Sequence, residues 1–390
     1  MYDGWGWHGG AQSPGLRFDL SESGQIERIE HGEPRAGDQC FDTLMPGAVN
    51  PHVHLELGPL AKSPGHFVDW LRSVIEARFA PGAEDPSLIA ERNLSEALGF
   101  GYTSFCEIDS VGAGAAALAG RGLRARSDLE LIGFDQDSLA AAANCDRRLA
   151  TAQDALEIGL SPHAPYSVSA ALFAEAGRRK LPLSIHVAES PEECEFLRTG
   201  TGPFRVLLEE LGRMPPSWEP SGLLPTMELD RHGLLGPRTL LVHMQEAEAS
   251  ELELAARRGA ALALCPGTIE YFGRSAPPLG RMLELGLRVV LGTDSLASNE
   301  RLDPRSELRR ATQLFPDLSA AQLLPMCFAG AGAALSLPVG RLAPACVFDA
   351  IALPGVAPLA EGPRAASEWF IHSDAPITAI WCAGRRLWGS

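Results

Sequence analysis

Eight short apolar segments alternate with longer, helix-like stretches from about residue 44 onward. The segments are 44–54, 101–108, 129–135, 158–165, 181–189, 239–244, 259–266 and 288–295. This alternation is typical of βα units that form a parallel sheet. Eight strands with crossovers predict a closed (β/α)8 barrel of the TIM type. An open doubly wound sheet fits less well, because the sequence lacks a Gly-rich phosphate-binding turn.

The two ends of the chain have a different pattern. Residues 1–43 and 337–390 contain short strand-like segments joined by turns, such as LRFDLSESGQIERIEHG and ITAIWCAGRRLWG. We expect both ends to pair into one small β-sandwich domain, with residues 44–336 forming the barrel. No repeat at a solenoid period is evident.

Composition narrows the class of partner. The chain has 390 residues, 45% of them hydrophobic, and a net charge of −16 without a Lys/Arg block, which disfavours nucleic acid and anionic membrane as partners. The sequence has no apolar run of about 18 residues and no signal-peptide pattern at its start. Its eight cysteines are scattered, as expected of reduced thiols. We therefore expect a cytoplasmic protein with a small-molecule substrate; the oligomeric state stays open, with a homodimer as one option.

Groups that bind metals or transfer protons follow five of the eight predicted strands. These groups are His52 and His54, His163, His186 with Glu189, His243, and Asp294. The carboxyl ends of all strands of a β/α barrel open onto one face, so these residues should meet there. Each residue alone has a structural alternative, for example a turn residue at His163, or a helix N-cap at Asp294. Together they predict an active site.

The same segments resemble a known superfamily. PGAVNPHVH, SPHAPYSVS, SIHVAES, LVH and LGTDS, in this order, are similar to the deaminase and chlorohydrolase branch of the amidohydrolase superfamily, which includes guanine, cytosine and adenosine-type aminohydrolases. Within that branch, SIHVAESPEECEFLRTGTGPF, LVHMQEAEASEL, CPGTIEYFG and GTDSLASNERLDPRSELRR most resemble aminodeoxyfutalosine deaminases of the alternative menaquinone pathway.

The resemblance implies a metal site and roles for its neighbours. It assigns His52, His54, His186 and Asp294 as ligands of one divalent ion, Zn²⁺ or Fe²⁺. Two-metal relatives use a lysine from the fourth strand, but neither Lys62 nor Lys180 lies at that strand end. The implied catalytic groups are Glu189 as proton donor to the ring, Asp294 as proton acceptor and His243 as the group that orients water. For Glu189, the cap of the following helix is the structural alternative.

Further residues are candidates for substrate contact: His163, Glu56, Ser298, Asn299, Arg78 and Arg274. For Glu56, ordinary loop solvation is the alternative. The two arginines could attract a carboxylate. The segment CPGTIEYFG departs from the branch, because Thr268 and Ile269 stand where a Ser-Asn pair is common.

The expected reaction is conversion of 6-amino-6-deoxyfutalosine to futalosine and ammonia. Alternatives on the same scaffold are a chlorohydrolase, a guanine- or adenosine-type deaminase, or an imidazolone or amide ring hydrolase. A non-catalytic metal-binding protein is the alternative from another class.

Overall fold

The computed structural model describes residues 16–36, 38–60, 66–358 and 361–389, and a parallel barrel is its central feature. Eight strands pair in sequential order: β4 (Ala48–Val53), β5 (Tyr102–Asp109), β6 (Arg124–Leu131), β7 (Glu157–Pro162), β8 (Leu183–Val187), β9 (Thr239–His243), β10 (Ala261–Leu264) and β11 (Arg288–Leu291). The predicted (β/α)8 barrel is confirmed. Lys62 lies outside the described residues.

The helices connect these strands and cover the outside of the barrel. They are α1 (Phe67–Phe79), α2 (Pro86–Gly99), α3 (Ala113–Arg121), α4 (Ser138–Leu149), α5 (Ala170–Arg178), α6 (Pro191–Thr199), α7 (Pro203–Glu210), α8 (Pro225–Arg231), α9 (Ala249–Arg258), α10 (Pro266–Tyr271), α11 (Leu279–Glu284), α12 (Pro304–Leu314), α13 (Ala320–Leu323), α14 (Ala329–Leu335) and α15 (Pro363–His372), with a 3₁₀ helix at Leu324–Cys327. Among the described residues, no helix is long and apolar enough to span a membrane.

Helix α6 shows how the sequence positions a loop of the site. Ser190 caps the helix, its Oγ accepting the backbone N–H of Glu193, and Pro191 occupies the first turn. Gly200 ends the helix in a left-handed conformation with φ 73°. The helix therefore starts directly after Glu189, and the loop between β8 and α6 is short.

The barrel closes between its first and last strands. The backbone N–H of Asp294, just after β11, donates to the carbonyl of His52 on β4 over 3.1 Å. A Cβ at Gly292 would lie 3.0 Å from that carbonyl oxygen, so a larger residue would push the two strands apart by a few tenths of an ångström. Closure thus brings two candidate metal ligands together.

Two predicted strands differ from the observed ones. The segment 44–54 forms two strands, β3 (Thr43–Pro46) and β4, separated at Gly47. The strand predicted at 129–135 is β6, which begins at Arg124. Arg126 and Asp128 made this stretch look polar, but they form a buried ion pair with two bonds of 2.7 Å inside the barrel. Because the two charges neutralise each other, both side chains can be buried in the barrel. A search for apolar runs leaves such charged residues out of a predicted strand.

Both chain ends form the predicted small β unit. β3 joins β12 (Ala350–Leu353), β13 (Ala379–Cys382) and β14 (Arg385–Gly389) in an antiparallel sheet, and β1 (Leu16–Leu20) pairs with β2 (Ile26–His31). The two sheets pack through apolar side chains, including Phe18 and Phe348 with ring centroids 5.4 Å apart. The domain boundaries at residues 43/44 and 336/337 stay a prediction.

Candidate active site

Four candidate metal ligands converge at the carboxyl ends of three strands. His52 and His54 come from β4, His186 from β8 and Asp294 from the segment after β11, and one ligand atom of each lies within 4.8 Å of the others. His54 Nε2 lies 3.3 Å from His186 Nε2 and 3.5 Å from Asp294 Oδ1. All four residues are buried. The structure therefore brings the predicted ligand set together.

The charge state of these imidazoles fits a bound cation. Burial lowers the pKa of His54 to about 4 and lowers the pKa of His186 well below its usual value. Both rings are then neutral, and their Nε2 atoms lie 3.3 Å apart, close enough to share one cation. His52 Nε2 is buried without a hydrogen-bond partner in the described structure. A divalent cation satisfies these donors, and three imidazoles with one carboxylate are a donor set that zinc accepts.

Residues behind the ligands fix their orientation. His186 Nδ1 donates to the carbonyl oxygen of His163 over 3.0 Å, which directs Nε2 toward the centre. Asp294 Oδ2 accepts hydrogen bonds from Ser298 Oγ at 2.8 Å and Thr268 Oγ1 at 3.2 Å. Thr268, at the position where the sequence departs from the branch, thus supplies a hydroxyl to the metal-site carboxylate.

The backbone is strained at the strand ends that hold the site. Ala188, His243, Met244 and Asp294 are non-glycine residues with left-handed φ angles of 49°, 74°, 46° and 57°. Each such conformation lowers the free energy of unfolding by about 1–3 kcal/mol, and it persists only where the surrounding structure enforces it. Their concentration at the ends of β8, β9 and β11 indicates that the placement of the site side chains takes precedence over local stability.

Glu189 and His243 are the candidate acid–base groups of the site. Glu189 lies 3.6 Å from His243 Nε2 and 3.6 Å from Arg274 Nη1. Burial raises the pKa of Glu189 to about 8, against the opposing effect of Arg274. Burial lowers the pKa of His243 to about 3, so its ring is neutral. Glu189 can therefore carry a proton at neutral pH and donate it inside the site.

A cavity of about 810 Å³ extends from the metal site toward α1 and α7. Its wall is mostly apolar and aromatic: Phe67, Trp70, Leu71, Val74, Ile75, Phe134, Tyr166, Phe204, Leu207 and Leu208. Tyr166 stacks on Phe204 with ring centroids 3.9 Å apart. The cavity is large enough for a drug-sized ligand with an aromatic group.

The other predicted substrate residues occupy different places. His163 and Arg78 line the cavity, whereas Arg274 lies behind Glu189 with its guanidinium 4.5 Å from the ring centre of Phe272. Glu56, Ser298 and Asn299 are buried and outside the cavity lining. The Glu56 carboxylate accepts the backbone N–H groups of residues 110, 111, 113 and 114, and Asn299 donates to the Thr293 carbonyl and the Glu307 carboxylate.

Sequence reasoning missed four charged residues that line the cavity: Glu130, Asp135, Arg147 and Arg213. Glu130 lies at the end of β6, and the rule that found the histidines at strand ends would have found it. The strand had been predicted to end at residue 135 instead of Leu131. Arg147 and Arg213 come from α4 and the segment after α7, where no local pattern separates them from surface arginines.

The comparisons with known proteins agree with this geometry. The sequence model of the amidohydrolase family matches residues 43–387. An aminodeoxyfutalosine deaminase of Deinococcus radiodurans is 30% identical over 350 residues, covering 81% of this chain and 80% of the relative. A 5-methylthioadenosine/S-adenosylhomocysteine deaminase of Halobacterium salinarum is 29% identical over 352 residues, covering 82% and 75%.

A solved structure shares the fold. The Helicobacter pylori aminofutalosine deaminase in complex with methylthio-coformycin aligns with a TM-score of 0.81 and 23% identity across 96% of this chain and 95% of that one. The expected resemblance to amidohydrolases is confirmed. This chain therefore belongs to the amidohydrolase family and is a hydrolase that acts on carbon–nitrogen bonds.

Proposed function

We propose that this protein deaminates an adenine-type nucleoside, and that its substrate is 6-amino-6-deoxyfutalosine, converted to futalosine and ammonia in menaquinone biosynthesis. The observation that carries the proposal is one cavity in which four candidate metal ligands and the buried Glu189 open into an aromatic cleft lined by arginines. The deaminases among the similar proteins support the reaction type.

The metal is one divalent ion per chain, zinc or iron(II), held by His52, His54, His186 and Asp294. When bound there, such an ion lowers the pKa of water toward ~7 and so supplies a nucleophile at neutral pH. The bridging lysine of two-metal relatives has no counterpart at the end of β7, where His163 stands. The site therefore supports a single ion.

Two carboxylates divide the proton transfers. Asp294 Oδ1 faces the centre, because Oδ2 is held by two hydroxyls, and Oδ1 can accept the proton that water gives up. Glu189 can protonate the ring nitrogen next to the attacked carbon. That carbon gains a C–O bond; the amino group takes the proton held by Asp294 and leaves as ammonia when the C–N bond breaks. The ring nitrogen keeps its proton, and the proton of the new hydroxyl returns to Glu189. His243, neutral and 3.6 Å from Glu189, can orient the attacking water.

The far end of the cavity suits a carboxylated aromatic tail. Arg213 donates to Asp135 over 3.0 Å, and Arg78 lies 3.8 Å from Glu56. Arg147 donates to the amide oxygen of Asn144 over 2.8 Å, and within the described structure it has no carboxylate within ion-pair distance. Arg147 is therefore the cavity arginine whose charge is free to bind a substrate carboxylate.

A second candidate substrate is 5′-methylthioadenosine. The Halobacterium salinarum relative is named for this nucleoside, and the apolar cleft between α1 and α7 also fits a short thioether. A methylthio group leaves Arg147 without an anionic partner, whereas a carboxylated tail provides one. This difference favours the longer substrate.

Steady-state kinetics on a substrate panel test the proposal. We expect the highest kcat/KM with 6-amino-6-deoxyfutalosine, then with 5′-methylthioadenosine and adenosine, and ammonia release from each. Guanine and a chlorinated triazine represent the other reactions of the scaffold. Faster turnover of a compound outside the aminated purine nucleosides would refute the substrate assignment. Elemental analysis that finds two tightly held ions per active chain would refute the single-ion site.

A further inference from the structure

Glu130 differs from the other carboxylates that line the cavity. Asp294 belongs to the metal site, Glu189 faces His243 and Arg274, and Asp135 is paired with Arg213. Glu130 Oε2 accepts a hydrogen bond of 2.6 Å from Ser110 Oγ. Its Oε1 has no hydrogen-bond donor among the described residues. One oxygen of this carboxylate is thus anchored and the other is available to a ligand.

The surroundings keep this carboxylate charged and fixed. Burial acts against ionisation, but His163, the Ser110 hydroxyl and Arg78 lower the pKa of Glu130. The loop that carries Ser110 is also held in place, because the backbone N–H of Ser110 donates a hydrogen bond of 3.1 Å to the Glu56 carboxylate. A charged group in a mostly apolar cavity requires hydrogen-bond donors from the ligand.

The position of Glu130 along the cavity indicates which part of a nucleoside it meets. The next residue on β6, Leu131, accepts the backbone N–H of His163 over 3.1 Å, and Glu130 lines the same cavity as the candidate ligand His54 and as Arg78. With the base at the metal site and the tail near the arginines, the sugar lies between them. A ribose offers two neighbouring hydroxyls, and a carboxylate accepts two such donors well.

We propose that Glu130 binds the 2′- and 3′-hydroxyls of the substrate and makes the enzyme selective for ribonucleosides over 2′-deoxyribonucleosides. This inference rests on the proposed nucleoside deamination. It assigns a sugar subsite to the end of β6, formed by Glu130 and positioned by Ser110. Glu56 contributes indirectly, through the loop that carries Ser110.

A cycle of variants and substrates tests the subsite. For the wild-type protein we expect kcat/KM for adenosine to exceed that for 2′-deoxyadenosine by roughly 10- to 100-fold, the range for a hydrogen bond to a charged acceptor. Glu130→Gln should reduce this ratio to a few-fold, because it lowers the adenosine value more than the 2′-deoxyadenosine value, which loses only the bond to the 3′-hydroxyl. Ser110→Ala should reduce it partly. Glu157→Gln, an exposed position at the start of β7, is the matched control and should leave the ratio unchanged.

Direct binding provides a readout without turnover. Calorimetry should show inosine binding wild type more tightly than 2′-deoxyinosine, and the difference should shrink in Glu130→Gln. An equal loss of activity on both nucleosides, or an unchanged ratio, would overturn the role of Glu130. If the wild-type protein deaminates adenosine and 2′-deoxyadenosine equally well, the diol subsite is wrong, but the proposed deamination is unaffected. Wild-type protein that deaminates no nucleoside would overturn the proposed function as well.

Discussion

Replacing Glu193 by glutamine should impair catalysis although this residue lies outside the cavity lining. Glu193 is fully buried in the first turn of α6. Its two carboxylate oxygens accept the backbone N–H groups of Ala188 and Glu189, at 3.0 Å and 2.9 Å. Ala188 has a left-handed φ of 49°, so these bonds stabilise a strained turn directly before the proton donor. Glu193 is therefore a positioning residue for Glu189.

The magnitude follows from the two hydrogen bonds. Glutamine keeps one acceptor oxygen and places an NH₂ donor against the other backbone N–H. One bond is lost and one buried N–H is left without an acceptor, which costs about 1–3 kcal/mol of the free energy of unfolding. If the turn relaxes and Glu189 shifts by about 1 Å, kcat falls by ~10²-fold. Substrate binding changes little, because the cavity wall is intact.

The assay combines kcat and KM with metal content and urea unfolding. For Glu193→Gln we expect kcat to fall by ~10- to 100-fold, KM to stay within about threefold, and metal content to stay at the wild-type value. Glu192→Gln, the same change at the neighbouring position of α6, is the control. A kcat within twofold of wild type would refute the positioning role. So would a loss of activity that metal depletion explains entirely.

Three further outcomes are expected. Glu189→Gln should retain the metal and the fold but lose ~10²-fold or more in kcat, and near-normal turnover would show that Glu189 is structural. Arg147→Ala should lower kcat/KM by ~10-fold or more for the carboxylated substrate and leave adenosine unaffected; equal losses on both would exclude recognition of the carboxylate. Burial raises the pKa of Glu307 to about 7. The contribution of Glu307 to the free energy of unfolding is therefore complete below about pH 4.5 and falls as pH rises through 7. Glu307→Gln should reduce this fall in the free energy of unfolding by up to ~3 kcal/mol, measured by denaturation at several pH values.

The sequence predicted the metal centre well because barrel geometry leaves little freedom there. Residues at the carboxyl ends of parallel strands share one face, so the positions of His52, His186 and Asp294 in their strands determined that they would meet. No knowledge of loop conformation was needed. The same rule placed Glu189 and His243 near the centre.

The cavity wall was harder to predict because helices and tertiary pairing define it. Phe67 and Trp70 are apolar positions of an amphipathic helix, and the sequence does not show whether such a face packs on the barrel or lines a cavity. Glu130 was missed because the apolar pattern predicts a strand that runs to residue 135, whereas β6 ends at Leu131, so Glu130 did not stand at the predicted strand end. Arg78, by contrast, was predicted from charge alone and does line the cavity.

Three buried glutamates stabilise the loops that carry the site residues, although these glutamates do not line the cavity themselves. The carboxylate of Glu107 accepts the backbone N–H of Leu55, next to His54, and the carboxylate of Glu307 accepts that of Gly267, next to Thr268. Glu193 does the same before Glu189. Backbone N–H groups that leave the sheet ladder must find acceptors, and each of these carboxylates supplies them at the end of a different strand. In sequence they resemble ordinary surface glutamates. Their substitution should therefore lower activity by releasing a loop, and normal metal affinity with reduced kcat would distinguish this effect from loss of a ligand.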